Sequence, residues 1–183
     1  MRTLVILIAG VLAACAPVTG PATNVGVVLT IHGDIAASNR AAMDSQTEPL
    51  FNTFGLEFER AYAVSAAQLA SLDQHDIQVD YPAGGAQRAF RGPLLRDVLA
   101  LAMPRGDNVV VTALDGYQRD ISLQRIEAHD VILATSMDGQ PLPMGGFGPA
   151  MLVWPRATDR ALEGMSDDDW LWGVIAIEIT TSP

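Results

Sequence analysis

The sequence has no lysine and one cysteine, and both scarcities exclude classes of protein. Its 183 residues contain 11 basic side chains, all of them arginine, against 21 Asp and Glu, which gives a net charge of −10. A chain of this charge repels a phosphate backbone, so nucleic acid is excluded as a partner. The single cysteine, Cys15, leaves no disulfide framework, no CxxC redox pair and no cysteine-rich zinc site.

Apolar residues, in contrast, are plentiful. They make up 49% of the chain, which is enough to fill a hydrophobic core and excludes an intrinsically disordered protein. The length suits one domain with a short tail.

The first 20 residues are predicted to form a targeting signal. Arg2 precedes an apolar run over residues 4–14, which is shorter than the roughly 20 apolar residues that a transmembrane helix needs. The run ends in Leu12-Ala13-Ala14-Cys15, which resembles the lipobox of bacterial lipoproteins. The alternatives are an ordinary signal peptide with an incidental cysteine, or a buried N-terminal helix.

The lipobox resemblance implies a signal peptide over residues 1–14, a lipid on Cys15 and a tether over residues 15–23. A single domain over residues 24–183 would follow. The membrane then becomes a partner through the lipid anchor, and the domain is expected at the periplasmic face of the envelope, with the outer membrane preferred. One arginine in the signal is typical of export as an unfolded chain, which cannot carry a noncovalent cofactor across the membrane.

The rest of the chain predicts an α+β fold, a β-rich single domain with short helices. Alternating or β-branched runs predict strands over residues 25–35, 56–62, 77–81, 108–114, 117–123, 131–137 and 150–155, and near the end of 170–180. Helices are predicted over 66–72, after a Ser65–Gln68 capping box, and over 93–101, with Pro93 in the first turn. One helical turn is expected within 122–129, and residues 36–55 and 141–149 are expected to be irregular.

Four stretches together resemble the molybdopterin-binding domain of the sulfite oxidase family. They are FRGPLLRDVLALA (90–102), VVVTALDGYQRDISL (109–123), VILATSMDGQPLP (131–143) and GGFGPAMLVWP (145–155). The order and spacing of these stretches carry the resemblance, which extends over about residues 24–181 and includes short exported members of the group.

Two sequence features that the resemblance leads us to expect at the cofactor site are absent from this chain. Enzymes of that family ligate molybdenum through a cysteine thiolate, and the corresponding region, 77–90, has no cysteine. They also carry a His-Gly-x-Pro-x-Arg element in the glycine loop, where this chain has Gly146-Phe147-Gly148-Pro149-Ala150-Met151. Without those basic groups an anionic phosphate is held poorly. The expectation is therefore no bound cofactor and no catalysis, with a molybdopterin-dependent oxidoreductase as the alternative and a purely structural envelope protein as a third hypothesis.

The retained cleft is predicted to bind a small ligand or a partner such as a membrane sensor protein. Its candidate residues are a turn that borders the family's cofactor cleft, the glycine loop and a group of arginines suited to an anion: Asp115, Tyr117, Gly145, Gly146, Phe147, Gly148, Arg88, Arg91 and Arg96. The alternatives are purely structural roles: an Asp-Gly turn with a packed tyrosine, a tight structural loop and solvated surface arginines.

Other polar groups give weaker signals. His32, His75 and His129 lack metal-ligand spacing, so no metal site is expected. Asp167-Asp168-Asp169 lacks the spacing of a calcium loop and is interpreted as a solvated turn. Trp154, Trp170 and Trp172 are expected to pack in the core or at its edge, and the alternative is that they rim a pocket.

Overall fold

The structure, a computed structural model, describes residues 26–181. The strands are β1 (Val27–Gly33), β2 (Arg40–Ala41), β3 (Arg60–Ser65), β4 (Gln74–Asp80), β5 (Gln87–Pro93), β6 (Asn108–Ala113), β7 (Gln118–Ser122), β8 (Ile132–Ala134), β9 (Ser136–Met137), β10 (Gln140–Pro141), β11 (Met151–Val153) and β12 (Val174–Thr180). The helices are α1 (Pro49–Thr53), α2 (Ala66–Ser71), α3 (Leu95–Ala100) and α4 (Leu123–Ala128), with 3-10 turns at Arg160–Leu162 and Asp167–Asp169. The predicted β-rich α+β fold is confirmed.

The largest sheet has six strands in the order β2-β3-β1-β12-β6-β7. β1 and β12 are parallel, and every other neighbouring pair is antiparallel. One face of this sheet carries alternate apolar residues that are fully buried, since side chains two apart lie on the same face. They include Leu29, Ile31, Val109, Val111, Ile121, Ile177 and Ile179.

Two smaller sheets complete the fold. One has the order β10-β9-β5-β4, and its β4–β5 hairpin is paired from Gln74–Pro93 to Asp80–Gln87. The other pairs β8 with β11. Residues of both sheets, including Phe90 and Leu152, belong to the same hydrophobic cluster as the six-stranded sheet. Their loops therefore have fixed positions relative to that sheet.

Residues 40–58 lie against β1 on the second face of the six-stranded sheet. Arg40 donates from Nη1 to Thr30 Oγ1 at 2.5 Å and forms an ion pair with Glu48. Its guanidinium also lies over the rings of Phe51 and Phe58, at 5.2 and 5.1 Å. These contacts explain why the polar residues Thr30 and His32 of β1 are buried on the face opposite the core.

The helix start at Ser65 is confirmed. The Ser65 hydroxyl accepts from Gln68 N at 3.1 Å, and the Gln68 side chain accepts from Ser65 N at 3.0 Å. This reciprocal capping box satisfies two backbone donors that a helix start leaves free. The predicted turn of helix after residue 122 is also present as α4, with the Ser122 hydroxyl accepting from Arg125 N.

Other predicted boundaries are wrong. Pro93 is the last residue of β5, paired with Gln74, and α3 begins two residues later after Leu94. The prediction of one strand over 131–137 is wrong because the chain leaves β8 at Ala134 and enters a different sheet as β9. The strand predicted over 56–62 begins only at Arg60, since the residues before it cross the back of the sheet.

The segments predicted to be irregular contain short elements. Residues 36–55 include β2 and α1, and α1 begins at Pro49, whose fixed φ suits the first turn of a helix. Residues 141–149 remain a loop apart from the end of β10 and a bridge between Met144 and Gly148.

Within residues 26–181, no helix has the length and hydropathy of a membrane-spanning segment. The predicted signal peptide, the lipobox at Cys15 and the tether lie outside the described residues.

Candidate functional site

A cleft of about 240 Å³ forms where three separate parts of the chain meet. Tyr81, which directly follows β4, is the first part, and the end of β6 with the β6–β7 turn supplies Ala113, Asp115 and Tyr117. The third part is the 3-10 turn over 167–169 with the three residues that follow it. The residues that line the cleft are Tyr81, Ala113, Asp115, Tyr117, Asp167, Asp168, Trp170, Leu171 and Trp172.

The β6–β7 turn places Asp115 and Tyr117 in the wall of the cleft. Asp115 Oδ1 accepts from Tyr117 N at 3.0 Å, and Gly116 between them has φ +84°, which glycine adopts without strain. The Tyr117 hydroxyl donates to Asp168 O at 3.3 Å, while 46% of this residue stays exposed. The turn is therefore tied to the opposite wall, and the tyrosine still reaches solvent.

Aromatic rings form the base of the cleft. Tyr81 stacks on Trp170 with ring centroids 5.4 Å apart and packs edge-on against Phe147 at 5.4 Å. The guanidinium of Arg156 lies 4.4 Å from the centre of the Trp170 ring. Trp170 is only 2% exposed, and its indole Nε1 is buried without an acceptor among residues 26–181.

Arg156 fixes the acidic groups beneath these rings. It pairs with Asp167 and Asp80, and Asp167 Oδ2 also accepts from Ala83 N at 2.8 Å. A hydrogen bond from Gly84 N, with a further contribution from Arg156, lowers the pKa of Asp80. Burial, helped by the negative charge of Asp167 and opposed by Arg156, raises the pKa of Tyr81. The phenol therefore stays neutral and the carboxyl ionised at physiological pH.

A second ion-pair group lies next to the cleft. Asp169, 7% exposed, receives Arg119 and Arg125, each at 2.6 Å. Burial disfavours the charged carboxylate, but the hydrogen bonds from Arg125 and Arg119 outweigh it, so the pKa of Asp169 is lowered. The interpretation of residues 167–169 as a solvated turn is thus wrong for Asp169, whose position after two further acidic residues gave no sign of burial.

The three arginines predicted to contact an anion do not line the cleft. Arg88 pairs with Asp138 at 2.8 Å, Arg91 with Asp76 at 2.5 Å and Arg96 with Asp130 at 2.5 Å. All three pairs are on the surface, where ion pairs contribute little to stability.

The glycine loop packs against the cleft through Phe147, which contacts Tyr81. Gly145 has φ +86°, and a Cβ on Gly148 would lie 2.2 Å from Leu142 O. Gly146 N and Gly148 N both bond Pro143 O at 3.0 Å. These glycines therefore have a structural role in closing the turn.

Sequence reasoning missed Tyr81 and Arg156 as parts of the site. It also treated the tryptophans alike, whereas they differ: Trp154 is fully buried, Trp170 lies in the cleft wall and Trp172 is 37% exposed at the cleft. Arg88, Arg91 and Arg96 are close together in the sequence, whereas Arg156 lies far from them. Its partner Asp80 lies 76 residues earlier in the chain, so no local pattern could have identified the pair.

Comparison with known proteins defines the class. Residues 51–159 match the model of the oxidoreductase molybdopterin binding domain, and the chain belongs to that family.

Among solved structures, the sulfane dehydrogenase SoxCD from Paracoccus pantotrophus has a similar fold, with a TM-score of 0.59 and 16% sequence identity over 87% of this chain. The match covers 39% of the SoxCD chain, so this chain corresponds to well under half of that protein. No curated protein shows significant sequence similarity to the chain.

The residues of the cleft do not fit a molybdopterin cofactor. Its walls carry the carboxylates of Asp115, Asp167 and Asp168, which repel a phosphate, and none of its lining residues has a thiol. The nearby arginines are already paired with carboxylates. Within residues 26–181, no group of three or more His, Cys, Asp or Glu side chains could hold a metal ion.

Proposed function

We propose that this protein is a lipid-anchored envelope protein whose molybdopterin-binding-type domain binds a ligand in the cleft and does not perform molybdenum redox chemistry. The proposal rests on the chemistry of the side chains that line the cleft. Of the residues that the family resemblance assigns to the cofactor cleft, Asp115 and Tyr117 line this cleft, and its other carboxylates and rings come from Tyr81 and residues 167–172.

The chemistry of both ends of the cofactor argues against its binding. Molybdenum in this family requires a soft thiolate, and the only cysteine of the chain is Cys15, in the lipobox. The phosphate end requires arginine, lysine or amide donors. Arg156 could approach such a phosphate only by leaving Asp80 and Asp167, which would strand two carboxylates beside the cleft.

The lipobox supports anchorage at the periplasmic face of the envelope, with the outer membrane preferred. The absence of a second arginine beside Arg2 supports export as an unfolded chain. A domain held at the membrane is suited to present its ligand state to a membrane sensor protein, which is the partner we propose.

We expect the purified protein to contain less than about 0.1 molybdenum per chain after expression in a molybdate-supplied host. The cleft provides no thiolate and no unpaired arginine to retain the cofactor. Elemental analysis, together with pterin fluorescence after acid release, measures both halves of the cofactor.

A molybdoenzyme of the same fold, produced in the same cells, serves as the loading control. Near-stoichiometric molybdenum and pterin in this protein would overturn the proposal. They would favour the alternative, a molybdopterin-dependent oxidoreductase in which the dithiolene alone holds the metal.

The anchor has its own test. We expect Cys15→Ser to move the protein from the membrane fraction to the soluble fraction and to abolish labelling by a fatty acid, because the thiol is the attachment site. Fractionation and metabolic labelling measure this result. Ala16→Ser, a matched change one residue later, should remain lipidated, and a Cys15→Ser protein that still carries label would contradict the lipobox.

A further inference from the structure

We propose that β4 is the contact surface for a second copy of this chain, with the two β4 strands paired antiparallel about Ile77. The inference concerns an edge of the fold rather than the cleft, and it requires neither a cofactor nor a ligand. It follows from the unpaired backbone groups of this edge and from the charges of the side chains beside them.

β4 is an edge strand, since it ends the order β10-β9-β5-β4. Its seven residues pair with β5 from Gln74 to Asp80 without a bulge, and none of them is a proline. The other edge strands offer less: β10 has two residues, and β7 has five and leads directly into α4. An edge strand presents a row of unpaired N–H and C=O groups, which is a template for pairing with another chain.

The direction of these groups follows from the far side of β5. The carbonyl oxygens of Ala89 and Arg91 accept from backbone N–H groups of the residues that flank β9, at 2.7 and 2.9 Å. Successive residues of an antiparallel strand point their backbone groups to opposite sides. Phe90 therefore directs its backbone groups towards β4, where its partner in register is Ile77.

Asp76 and Gln78, on either side of Ile77, consequently direct their N–H and C=O groups to the open edge. Both residues are exposed, and these four groups have no hydrogen-bond partner among the described residues. The next outward residue, Asp80, confirms the alternation because its carbonyl accepts from Arg156 Nη2 at 2.5 Å, outside the hairpin. Asp76 and Gln78 thus form the middle of an open edge.

A second copy can satisfy all four groups at once. When Ile77 lies opposite Ile77 of the second copy, Asp76 lies opposite Gln78 in both directions, and each of these facing pairs forms two backbone hydrogen bonds. A shift of two residues keeps the backbone groups facing each other but places Asp76 opposite either Asp76 or Asp80 of the second copy. Like charges directly opposite each other are destabilising, so the charges of β4 select the register centred on Ile77.

This interface is expected to be weak. One strand pairing buries less surface than the roughly 1,600 Å² of a standard protein interface. Ile77, which is partly buried against the core, adds an apolar contact with its symmetric counterpart. We therefore expect a dimer dissociation constant of about 10 to 100 μM.

Two replacements of Gln78 test the register. Gln78→Lys places an ammonium opposite Asp76 of the second copy, and Gln78→Glu places a carboxylate there, in two pairs per dimer. We expect the dissociation constant to fall about fivefold for Gln78→Lys and to rise about fivefold for Gln78→Glu. Sedimentation of the purified full-length protein measures both, in a neutral maltoside detergent with micelles in excess over chains. Gln124→Lys and Gln124→Glu, in an exposed glutamine of α4, are the matched controls and should change nothing.

Ile77→Cys tests the centre of symmetry. Directly opposite residues that do not exchange backbone bonds have Cα atoms about 4.5 Å apart, within the range of a disulfide. Oxidation with copper phenanthroline should therefore link at least about fivefold more chains than in Asp73→Cys, whose two copies would lie about 27 Å apart along the paired strands. Non-reducing gels measure the linked fraction, and the parent protein, with Cys15 alone, gives the background. Thermal unfolding confirms that each variant is folded.

A chain that remains monomeric at about 0.5 mM would overturn the inference. Equal cross-linking of Ile77→Cys and Asp73→Cys would also overturn it, and so would Gln78 replacements that both shift the dissociation constant in the same direction or leave it unchanged. None of these measurements depends on molybdenum content or on lipid labelling, so the proposed function is tested separately.

Discussion

Trp154→Ala is expected to lower the free energy of unfolding by about 4 kcal/mol, the cost typical of removing a fully buried large aromatic side chain. Trp154 is 0% exposed, its Nε1 donates to Asp169 O at 2.9 Å, and the Arg125 guanidinium lies 4.5 Å from its ring centre. The truncation therefore leaves a cavity and removes the support of Asp169 beside the cleft. Urea unfolding monitored by circular dichroism measures the loss.

Trp154→Phe separates these contributions. Phenylalanine keeps most of the buried ring but cannot donate to the Asp169 carbonyl, so we expect a loss of only about 1–2 kcal/mol. A Trp154→Ala protein within 1 kcal/mol of the wild type would contradict the assignment of this residue to the core. If both variants lost the same amount, the hydrogen bond rather than the packing would dominate.

The parts of the fold that were predictable from sequence are those fixed by neighbouring residues. The start of α2 depends on Ser65 and Gln68, three positions apart, and was predicted correctly. The strands around Asp115-Gly116 were placed to within a residue, since a turn and the alternating residues on both sides of it are local signals.

Pairing between distant segments could not be predicted. Residues 131–137 were predicted to form one strand, but Ala134 pairs with Met151 while Met137 pairs with Phe90. Pro93 resembled a helix start, yet its pairing with Gln74 keeps it in a strand. In each case tertiary contacts overrode a local preference.

The same division applies to the site. Asp115 and Tyr117 were singled out because they share one turn, and the structure places both in the cleft wall. Tyr81 and Trp170 lie far apart in sequence and stack only in the folded chain. The sequence indicated Asp115 and Tyr117, whereas the acidic and aromatic character of the cleft emerges from contacts between distant segments.

The proposed function separates the fold of this family from the chemistry of its cofactor. The hydrophobic cluster joins all three sheets, and it depends on buried apolar residues rather than on any bound group. The absence of thiols and basic side chains from the residues that line the cleft is compatible with that core.

The free energy of unfolding at acid pH is expected to depend on His32. Burial, with a smaller contribution from the nearby Arg40 guanidinium, lowers the pKa of this imidazole from 6.5 to about 4. The residue is 2% exposed, both ring nitrogens lack a partner among residues 26–181, and the ring lies 5.2 Å from that of Phe58. Glu178, its neighbour in register on β12, does not pair with it.

Between pH 6.5 and 4 the unfolded chain takes up a proton at His32 that the folded chain does not. The free energy of unfolding should therefore fall as the pH decreases through this window, by about 3 kcal/mol from this residue. We expect His32→Leu to remove this part of the slope and to leave stability at pH 7.5 equal or higher, because no hydrogen bond is lost. Urea unfolding at intervals of half a pH unit measures the profile.

His75→Gln is the control, since His75 is exposed on β4 and its replacement should preserve the wild-type slope. His32→Met provides a second apolar replacement with a flexible side chain, in case leucine packs poorly beneath Phe58. If the free energy of unfolding of both His32 variants depended on pH as it does in the wild type, protonation of this buried ring would not determine the loss of stability at acid pH. The sheet face beneath residues 40–58 would then have to tolerate an imidazolium beside the Arg40 guanidinium.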